Sequence, residues 1–287
     1  MPSTVYEGFE KLRENLEITG LQKTTVSIRQ GNVREALEKE LRVLDSFLIG
    51  SYSRHVMISP LSEADVDIFV VLDSSYFETN GQANLLDRVK KVLLKTYTRT
   101  PEIKKDGRAV TISFEDFKVD VVPAFNRQGG GYLISDSKKG EWISTNPKIH
   151  DEVLTRENTT HNGNLVPVIK MIKGWNKNIG HPFISFYLEL IAIEVFKNVQ
   201  ITDYPSGMRY FFDKGREKIK YKVKDLVDYG GEINGLDTIG SVPGAVEIFH
   251  REYDRAVEAE RLTTQWLYSD AIIQWRKIFG DYFPIYG

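Results

Sequence analysis

The sequence contains no cysteine among its 287 residues. Without cysteine the chain cannot form a disulfide framework or a zinc site with thiolate ligands. No stretch comes near the ~20 consecutive apolar residues that a membrane-spanning helix needs. The first residues, MPSTVYEGFEKLREN, are charged and have no apolar core of the kind found in signal peptides. These absences predict a protein with no membrane association and a cytoplasmic location.

The chain also lacks a large excess of charge of either sign, because its formal net charge is −2 at pH 7. Proteins that wrap long nucleic acids usually carry a strongly basic surface, so no long DNA or RNA partner is expected. A local basic site for a small polyphosphate is compatible with this total. The length allows one large domain or two modest ones, and no internal repeat is visible.

The pattern of apolar residues predicts a mixed α/β half followed by a mostly helical half. Apolar, β-branched segments predict strands at 46–49, 66–72, 109–114 and 117–123. Helical spacing predicts helices at 5–20, 33–45, 82–97, 164–178, 182–198, 205–228 and 244–279. A polar region near 145–160 separates the halves. We therefore expect an N-terminal domain of residues 1–150 and a helical domain of residues 151–287.

Two aspartates begin the strand predicted at 66–72. Asp65 and Asp67 point to one face, because side chains alternate between the faces of a strand. A third carboxylate, Asp120, lies inside the strand FKVDVV. If the two strands are neighbours, the three carboxylates converge, and like charges so close together require a cation between them. Carboxylate oxygens suit hard divalent cations, so we expect two Mg²⁺ ions here, with Mn²⁺ as a substitute.

Gly50 and Ser51 follow the strand predicted at 46–49. A glycine at such a point lets backbone N–H groups approach a phosphate, and a serine hydroxyl adds a donor. Ser51 is also a candidate cap of a following short helix. Most Gly-Ser pairs are simple turns, so this interpretation depends on the carboxylates nearby. A triphosphate here, with metal ions at the aspartates, predicts nucleotidyl transfer with release of pyrophosphate.

The helical half contains cations that suit the same substrate. In LVPVIKMIKGWNK, Lys170 and Lys173 are three residues apart and share a helical face. Such a pair usually faces solvent, and its alternative role is to contact a triphosphate. Ser185 is predicted to lie inside a helix, where a serine normally faces solvent or bonds to a carbonyl of its own helix. Tyr187 is one of several aromatic residues that could stack on a base.

Together these motifs resemble the DNA polymerase beta-type nucleotidyltransferase superfamily. Its pattern is Gly-Ser, then Asp-x-Asp opening a strand, then a third aspartate on a nearby strand. Within it the chain most resembles the bacterial CD-NTases of the SMODS type, which are relatives of cyclic GMP–AMP synthase and oligoadenylate synthetase. GSYSR with SEADVDIFVVL, DVVPAF with GGGYLISD, and IKMIKGWNK with FISFYLELIA carry this closer resemblance.

The resemblance implies a two-lobed, α/β plus α enzyme, with a mixed β-sheet palm, a helical second lobe and the active site in the cleft between them. It implies that Asp65, Asp67 and Asp120 are catalytic and bind the metal ions. It also implies nucleotide contacts from Gly50, Ser51, Lys170, Lys173 and Ser185. The expected substrates are ATP and/or GTP, and the expected product is a cyclic di- or trinucleotide for anti-phage (CBASS) signalling. A separate effector protein would sense this product.

The same resemblance suggests one modification. Some CD-NTases are conjugated through a C-terminal glycine by a ubiquitin-like ligase, and this chain ends in Gly287. We therefore regard Gly287 as a candidate for such conjugation.

Two further functions fit the same residues. One is template-independent transfer of nucleotides to RNA, as in CCA-adding enzymes and poly(A) polymerases, although the near-neutral charge argues against it. The other is an adapter or antitoxin that keeps the fold without catalysis, although such proteins often lose a carboxylate and all three are present here. A purely structural α/β protein would leave the aspartates unexplained.

Overall fold

The computed structural model describes residues 2–100, 102–227, 231–236 and 240–287. Contacts divide the chain into two compact units, a sheet unit made mainly of Ile18–Glu152 and a helical unit made of Met1–Glu17, Val153–Leu226 and Gly231–Gly287. The first helix, within Met1–Glu17, therefore belongs with the C-terminal helices, although it precedes the sheet unit in sequence.

In the described part of the chain, every helix is too short or too polar to span a bilayer.

The sheet unit contains seven strands and the helices that follow or precede them. Its strands are β1 (Val43–Ile49), β2 (Asp65–Leu72), β3 (Glu102–Asp106), β4 (Ala109–Ser113), β5 (Lys118–Asn126), β6 (Tyr132–Asp136) and β7 (Glu141–Thr145). Its helices are α2 (Gly20–Glu38), α3 (Gly50–Ser53) and α4 (Gln82–Thr96). A capping box between Thr19 and Gln22 begins α2, which satisfies two N–H groups that have no partner within the helix.

The strands follow the order β1-β2-β5-β4-β3, and β6 pairs with both β5 and β7. Only the pairing between β2 and β5 is parallel, and the other described pairs are antiparallel. Parallel neighbours need a long crossover. Helix α4 and the hairpin of β3 and β4 provide it here.

Strand β5 changes its antiparallel partner part-way along its length. Val121 pairs with Val110 of β4, whereas Ala124 pairs with Ile134 of β6. Pro123 lies between these two pairings and has no backbone N–H to offer a ladder. The sheet therefore forks beside this proline.

The two faces of the sheet have different roles. One face packs on α2 and α4, and its share of β2 is Val66, Ile68, Val70 and Leu72. The opposite face carries a smaller apolar cluster of Phe69, Val71, Ala109, Val122, Ala124 and Ile134. Burying one such side chain stabilises the fold by about 1.5–3 kcal/mol, so the large face holds the helices firmly. Asp67 alternates with Val66 and Ile68 and belongs to the opposite face.

The helical unit is built around aromatic side chains. Its helices are α1 (Val5–Leu16), α5 (Pro147–Thr160), α6 (Leu165–Asn178), α7 (Ser185–Phe196), α8 (Tyr204–Lys218), α9 (Val242–Thr264) and α10 (Tyr268–Phe279), and α5 begins in the sheet unit. Strands β8 (Val223–Lys224) and β9 (Glu232–Ile233) pair with each other in antiparallel orientation. Phe9 of α1 contacts the rings of Trp275, Phe279 and Phe283 edge-on, which explains why α1 belongs to this unit.

Several sequence-based predictions of secondary structure are wrong. The helix predicted at 33–45 ends at Glu38, and the chain then enters β1 at Val43. The polar region at 145–160 is mostly helix α5. The helix predicted at 244–279 is two helices separated at residues 265–267, and β3, β6 and β7 were not predicted.

Candidate active site

The parallel pairing of β2 with β5 brings the predicted carboxylates together. Asp67 is the register partner of Asp120, and Asp65 is the partner of Lys118. Paired residues of neighbouring strands point to the same face, so Asp65, Asp67 and Asp120 share the face opposite α2 and α4. Asp65 is exposed, whereas Asp67 and Asp120 are half-buried.

Asp120 is oriented by a hydroxyl from the neighbouring strand. Thr111 Oγ1 donates a hydrogen bond of 2.6 Å to Asp120 Oδ1, and the two residues are register partners between β4 and β5. Burial raises the pKa of the Asp120 carboxyl, while the bond from Thr111 opposes that rise. The negative charges of Asp65 and Asp106 raise this pKa further, and Lys118 lowers it. A cation beside Asp120 would therefore stabilise its ionised form.

Gly50 brings the backbone into close contact with the carboxylate of Asp67. Its φ is +73°, and a Cβ built at this position would lie 2.1 Å from Asp67 Oδ2. Only glycine fits both this space and this conformation. Ser51 lies within the four-residue helix α3, whose N-cap is Ile49 without a side-chain cap bond. The prediction that Ser51 caps this helix is therefore wrong, because the helix begins one residue earlier, at Gly50.

An open pocket of about 460 Å³ adjoins Asp67 and Asp120 on the sheet unit. Its far wall contains two ion pairs, Arg108 with Asp136 at 3.5 Å and Lys138 with Asp106. Its apolar lining includes Phe69, Val122 and Ile134. The pocket thus combines the Asp67 and Asp120 carboxylates, two cation–carboxylate pairs and apolar surface, which are features of sites for small charged ligands.

Thr111 and the walls of this pocket are not predicted from the sequence, for different reasons. Thr111 could have been found, because Asp120 faces it across the hairpin of β4 and β5 and a hydroxyl opposite a carboxylate is a visible signal. Arg108 and Lys138 lie in turns that follow the unpredicted strands β3 and β6. Nothing local in the sequence connects these turns to Asp67.

The predicted phosphate-binding lysines lie in α6 and both have carboxylate partners in the helical unit. Lys170 Nζ is 2.6 Å from Glu17 Oε1, and Lys173 Nζ is 3.3 Å from Glu189 Oε1. The side chains of Lys173 and Glu189 are only 9% and 3% exposed, so this pair is a buried ion pair and not the solvent-facing lysine that such spacing usually indicates.

Two residues of α7 differ from their predictions. Ser185 is the first residue of the helix and is not in its interior, because the helix begins three residues later than the predicted range of 182–198. Tyr187 is fully buried, and its hydroxyl donates a 2.6 Å hydrogen bond to the Tyr221 carbonyl. Burial raises the pKa of Tyr187 to about 12. This side chain is part of the core and cannot stack on a substrate base.

The donor set on the sheet fits a hard divalent cation, since Asp65, Asp67 and Asp120 offer only carboxylate oxygens. Within the residues that the structure describes, no group of three His, Asp or Glu side chains is already gathered closely enough to hold a metal ion. The three carboxylates share a face and adjoining register positions. Side-chain rotation around these fixed backbone positions is what a bound cation would require.

Comparisons with known proteins give one consistent result. A family model described as the second messenger oligonucleotide or dinucleotide synthetase domain matches residues 3–158, which include the three carboxylates. A protein named a probable cyclic nucleotide synthase, from Bacillus cereus (strain VD146), is 27% identical, and the alignment covers 98% of this chain and 97% of the relative. A cyclic AMP-AMP-AMP synthase of Acinetobacter sp. is 23% identical, with 98% and 86% covered.

Solved structures share the fold of this chain. The structure of Escherichia coli MS115-1 CdnC with ATP has a TM-score of 0.79 at 17% identity, and the match covers 97% of this chain and 98% of that one. The cyclic AMP-GMP synthase DncV of Vibrio cholerae has a TM-score of 0.68 at 15% identity, covering 98% and 87%. The mixed sheet with helices found here is the fold of these proteins.

Proposed function

Because this chain belongs to the second messenger oligonucleotide or dinucleotide synthetase family, we propose that it joins NTPs into a cyclic di- or trinucleotide and releases pyrophosphate. Members of this family are bacterial CD-NTases, so the chain is an enzyme of the cyclic oligonucleotide synthase class. The observation that supports catalysis by this chain is the register of β2 and β5, which places Asp67 opposite Asp120 with Asp65 on the same face.

In the proposed reaction, a ribose hydroxyl of one nucleotide attacks the α-phosphorus of another. A new P–O bond forms, the bond between the α-phosphorus and the bridging oxygen breaks, and pyrophosphate leaves. Asp120 accepts the hydroxyl proton, a role suited to a carboxyl whose pKa burial has raised. A second transfer within the linear intermediate closes the ring.

Enzymes of this family generally use a divalent metal, and we propose Mg²⁺ held by Asp65, Asp67 and Asp120. When bound, Mg²⁺ supplies positive charge that polarises the α-phosphate and stabilises the leaving pyrophosphate. Thr111 keeps Asp120 oriented, and Gly50 leaves space for the Asp67 carboxylate.

We propose that the triphosphate is bound by backbone N–H groups of the Gly50–Ser51 turn and by polar side chains of α6 and α7. Backbone N–H groups at Gly50 and Ser51 suit the phosphate oxygens because the glycine has no Cβ to block their approach. Lys170, Lys173 and Ser185 are the proposed contacts from the helical unit. Glu17, the partner of Lys170, is 43% exposed on its side chain, so a phosphate can replace it at low cost.

ATP is the substrate that we propose first, with GTP as the alternative. The supporting relatives are the cyclic AMP-AMP-AMP synthase of Acinetobacter sp., the CdnC structure with ATP and the Bradyrhizobium diazoefficiens CdnG structure in complex with GTP. Other relatives are named CBASS oligonucleotide cyclases. We therefore propose that the product serves anti-phage signalling and activates a separate effector protein.

The central experiment incubates the protein with ATP, GTP, CTP and UTP, singly and together, with Mg²⁺ or Mn²⁺. Phosphatase-resistant products are identified by mass spectrometry. We expect cyclic products from the unaltered chain, and none after EDTA treatment or in Asp67→Asn. Asp87→Asn is the matched control, because Asp87 is a surface carboxylate paired with Lys105 at 2.6 Å on α4 and β3. Extension of RNA primers without cyclic product would refute the proposal in favour of an RNA nucleotidyltransferase.

A further inference from the structure

Helix α3 carries Gly50 and Ser51 but is too short to hold its own shape. It is one turn long, and its backbone bonds include Arg54 N–H to the Gly50 carbonyl at 3.3 Å and Val56 N–H to the Ser51 carbonyl at 2.9 Å. A single helical turn fixes several dihedral angles in exchange for very few hydrogen bonds, so it does not persist without outside support. The geometry beside Asp67 must therefore depend on residues that pack on this turn.

Ser53, the last residue of this turn, contacts both the first residue of the turn and a helix that is distant in sequence. Its hydroxyl is 3.1 Å from the Gly50 carbonyl oxygen and 2.9 Å from Asp151 Oδ1. Asp151 belongs to α5 and lies 98 residues later in the chain. The hydroxyl has a single proton, which the Gly50 carbonyl oxygen and the Asp151 carboxylate share as acceptors, so Ser53 links the residue that touches Asp67 to another element of the sheet unit.

The surroundings of Asp151 favour a fixed position for this carboxylate. Burial raises its pKa, and the hydrogen bond from Ser53 opposes that rise. Positive charge at Arg54, His150 and His55 acts in the same direction as the Ser53 bond. Because Asp151 is half-buried, loss of the 2.9 Å bond from Ser53 would leave its carboxylate with less compensation for burial, and this favours the observed contact.

We propose that Ser53 and Asp151 are positioning residues that hold the Gly50–Ser51 turn in the conformation that receives the nucleotide triphosphate. Neither touches the reacting atoms. Both act through the Gly50 carbonyl, whose position sets where the N–H groups of the turn point. This inference rests on the proposed function, and it adds two residues to the site that the three carboxylates and the Gly-Ser pair do not include.

The test measures KM and kcat for NTP consumption in Ser53→Ala, Asp151→Ala, Asp151→Asn and the double Ala variant. Outer residues that orient a site typically contribute 10–100-fold, so we expect KM to rise about 10-fold in each Ala variant with a smaller change in kcat. The double variant should resemble the single ones, because both disrupt one bridge. Asp151→Asn should stay close to the unaltered chain, since its amide can donate to Ser53 Oγ and leave the hydroxyl proton to Gly50.

Ser206→Ala is the matched control. Ser206 Oγ donates at 2.6 Å to Asp203 in the helical unit, so this variant loses a similar Ser–Asp bond away from Gly50. Its KM should not change. Multiplying effects in the double Ala variant, or an unchanged KM in both single Ala variants of an active enzyme, would overturn the inference. An unaltered chain that makes no product from any NTP would instead refute the proposed function.

Discussion

Gly50→Ala tests whether activity depends on the close contact between the Gly50–Ser51 turn and the carboxylate of Asp67. The new Cβ would lie 2.1 Å from Asp67 Oδ2, about 1 Å closer than real Cβ contacts allow. Either the carboxylate or the turn must move by about that distance. Misplacing a reacting group by ~1 Å can cost about 100-fold in rate, so we expect kcat to fall on the order of 100-fold.

The same substitution has a second cost that needs its own control. An L-residue at φ +73° occupies the left-handed region, which costs about 1–2 kcal/mol. Gly140 has φ +70° with nothing within 4 Å of a built Cβ, so Gly140→Ala introduces the strain without the clash. Gly140→Ala should lose about 1–2 kcal/mol of unfolding free energy from strain alone, and Gly50→Ala should lose at least as much because the clash adds to it; only Gly50→Ala should lose its activity.

Pyrophosphate release under saturating NTP and metal measures kcat, and urea unfolding measures stability. If Gly50→Ala is as active as Gly140→Ala, the Asp67 carboxylate does not need its observed position, and the assignment of Gly50 to the site is wrong.

Three further changes test the site and its support. Thr111→Val removes the 2.6 Å hydrogen bond to Asp120 with little change in shape, and we expect about 10-fold lower kcat at fixed Mg²⁺; unchanged kinetics would show that Asp120 is oriented by other contacts. Burial raises the pKa of Asp120, so the Asp120 carboxyl contributes to stability at acid pH, and this contribution is lost as pH rises through the raised pKa. At pH 8 the neutral side chain of Asp120→Asn removes the cost of the buried charge. This variant should therefore raise the Tm of the metal-free protein while abolishing activity. A Tm that does not rise would contradict the burial argument. Lys173→Met removes a cation from the buried Glu189 and should lower the unfolding free energy by about 3–5 kcal/mol, measured by urea titration against Lys177→Met on the same helix. Equal stability of the two variants would mean that the ion pair contributes little.

Local patterns in the sequence were sufficient for the central strand and its carboxylates. The run VDIFVVL predicts β2, and strand alternation places Asp65 and Asp67 on one face. The parallel pairing of β2 with β5 could only be assumed, because no local pattern specifies a partner so far along the chain. The resemblance to a known family implies that these strands are neighbours, and the register of β2 and β5 shows that they pair directly.

Other predictions failed where tertiary contacts outweigh local spacing. Leu41 and Leu44 continue the helical spacing of α2, but Leu41 is buried and Leu44 is 45% exposed after the chain turns into β1. The segment PKIHDEVLTRENTT has few apolar residues and does not predict helix α5, which is instead supported by burial of Leu154 and by the bond between Asp151 and Ser53. Lys170 and Lys173 were found by spacing, while their partners Glu17 and Glu189 lie elsewhere in the sequence.

The fork in the sheet at Pro123 places the carboxylates and the pocket wall on different parts of the chain. The carboxylates lie on β2 and β5, whose mutual register is set by seven consecutive pairs. The pocket wall comes from the turns after β3 and β6, on either side of the fork. Insertions or charge changes in those turns can reshape the pocket without moving the carboxylates. Changes in two surface turns can therefore alter which small ligands fit this pocket, while the register that pairs Asp67 with Asp120 stays the same.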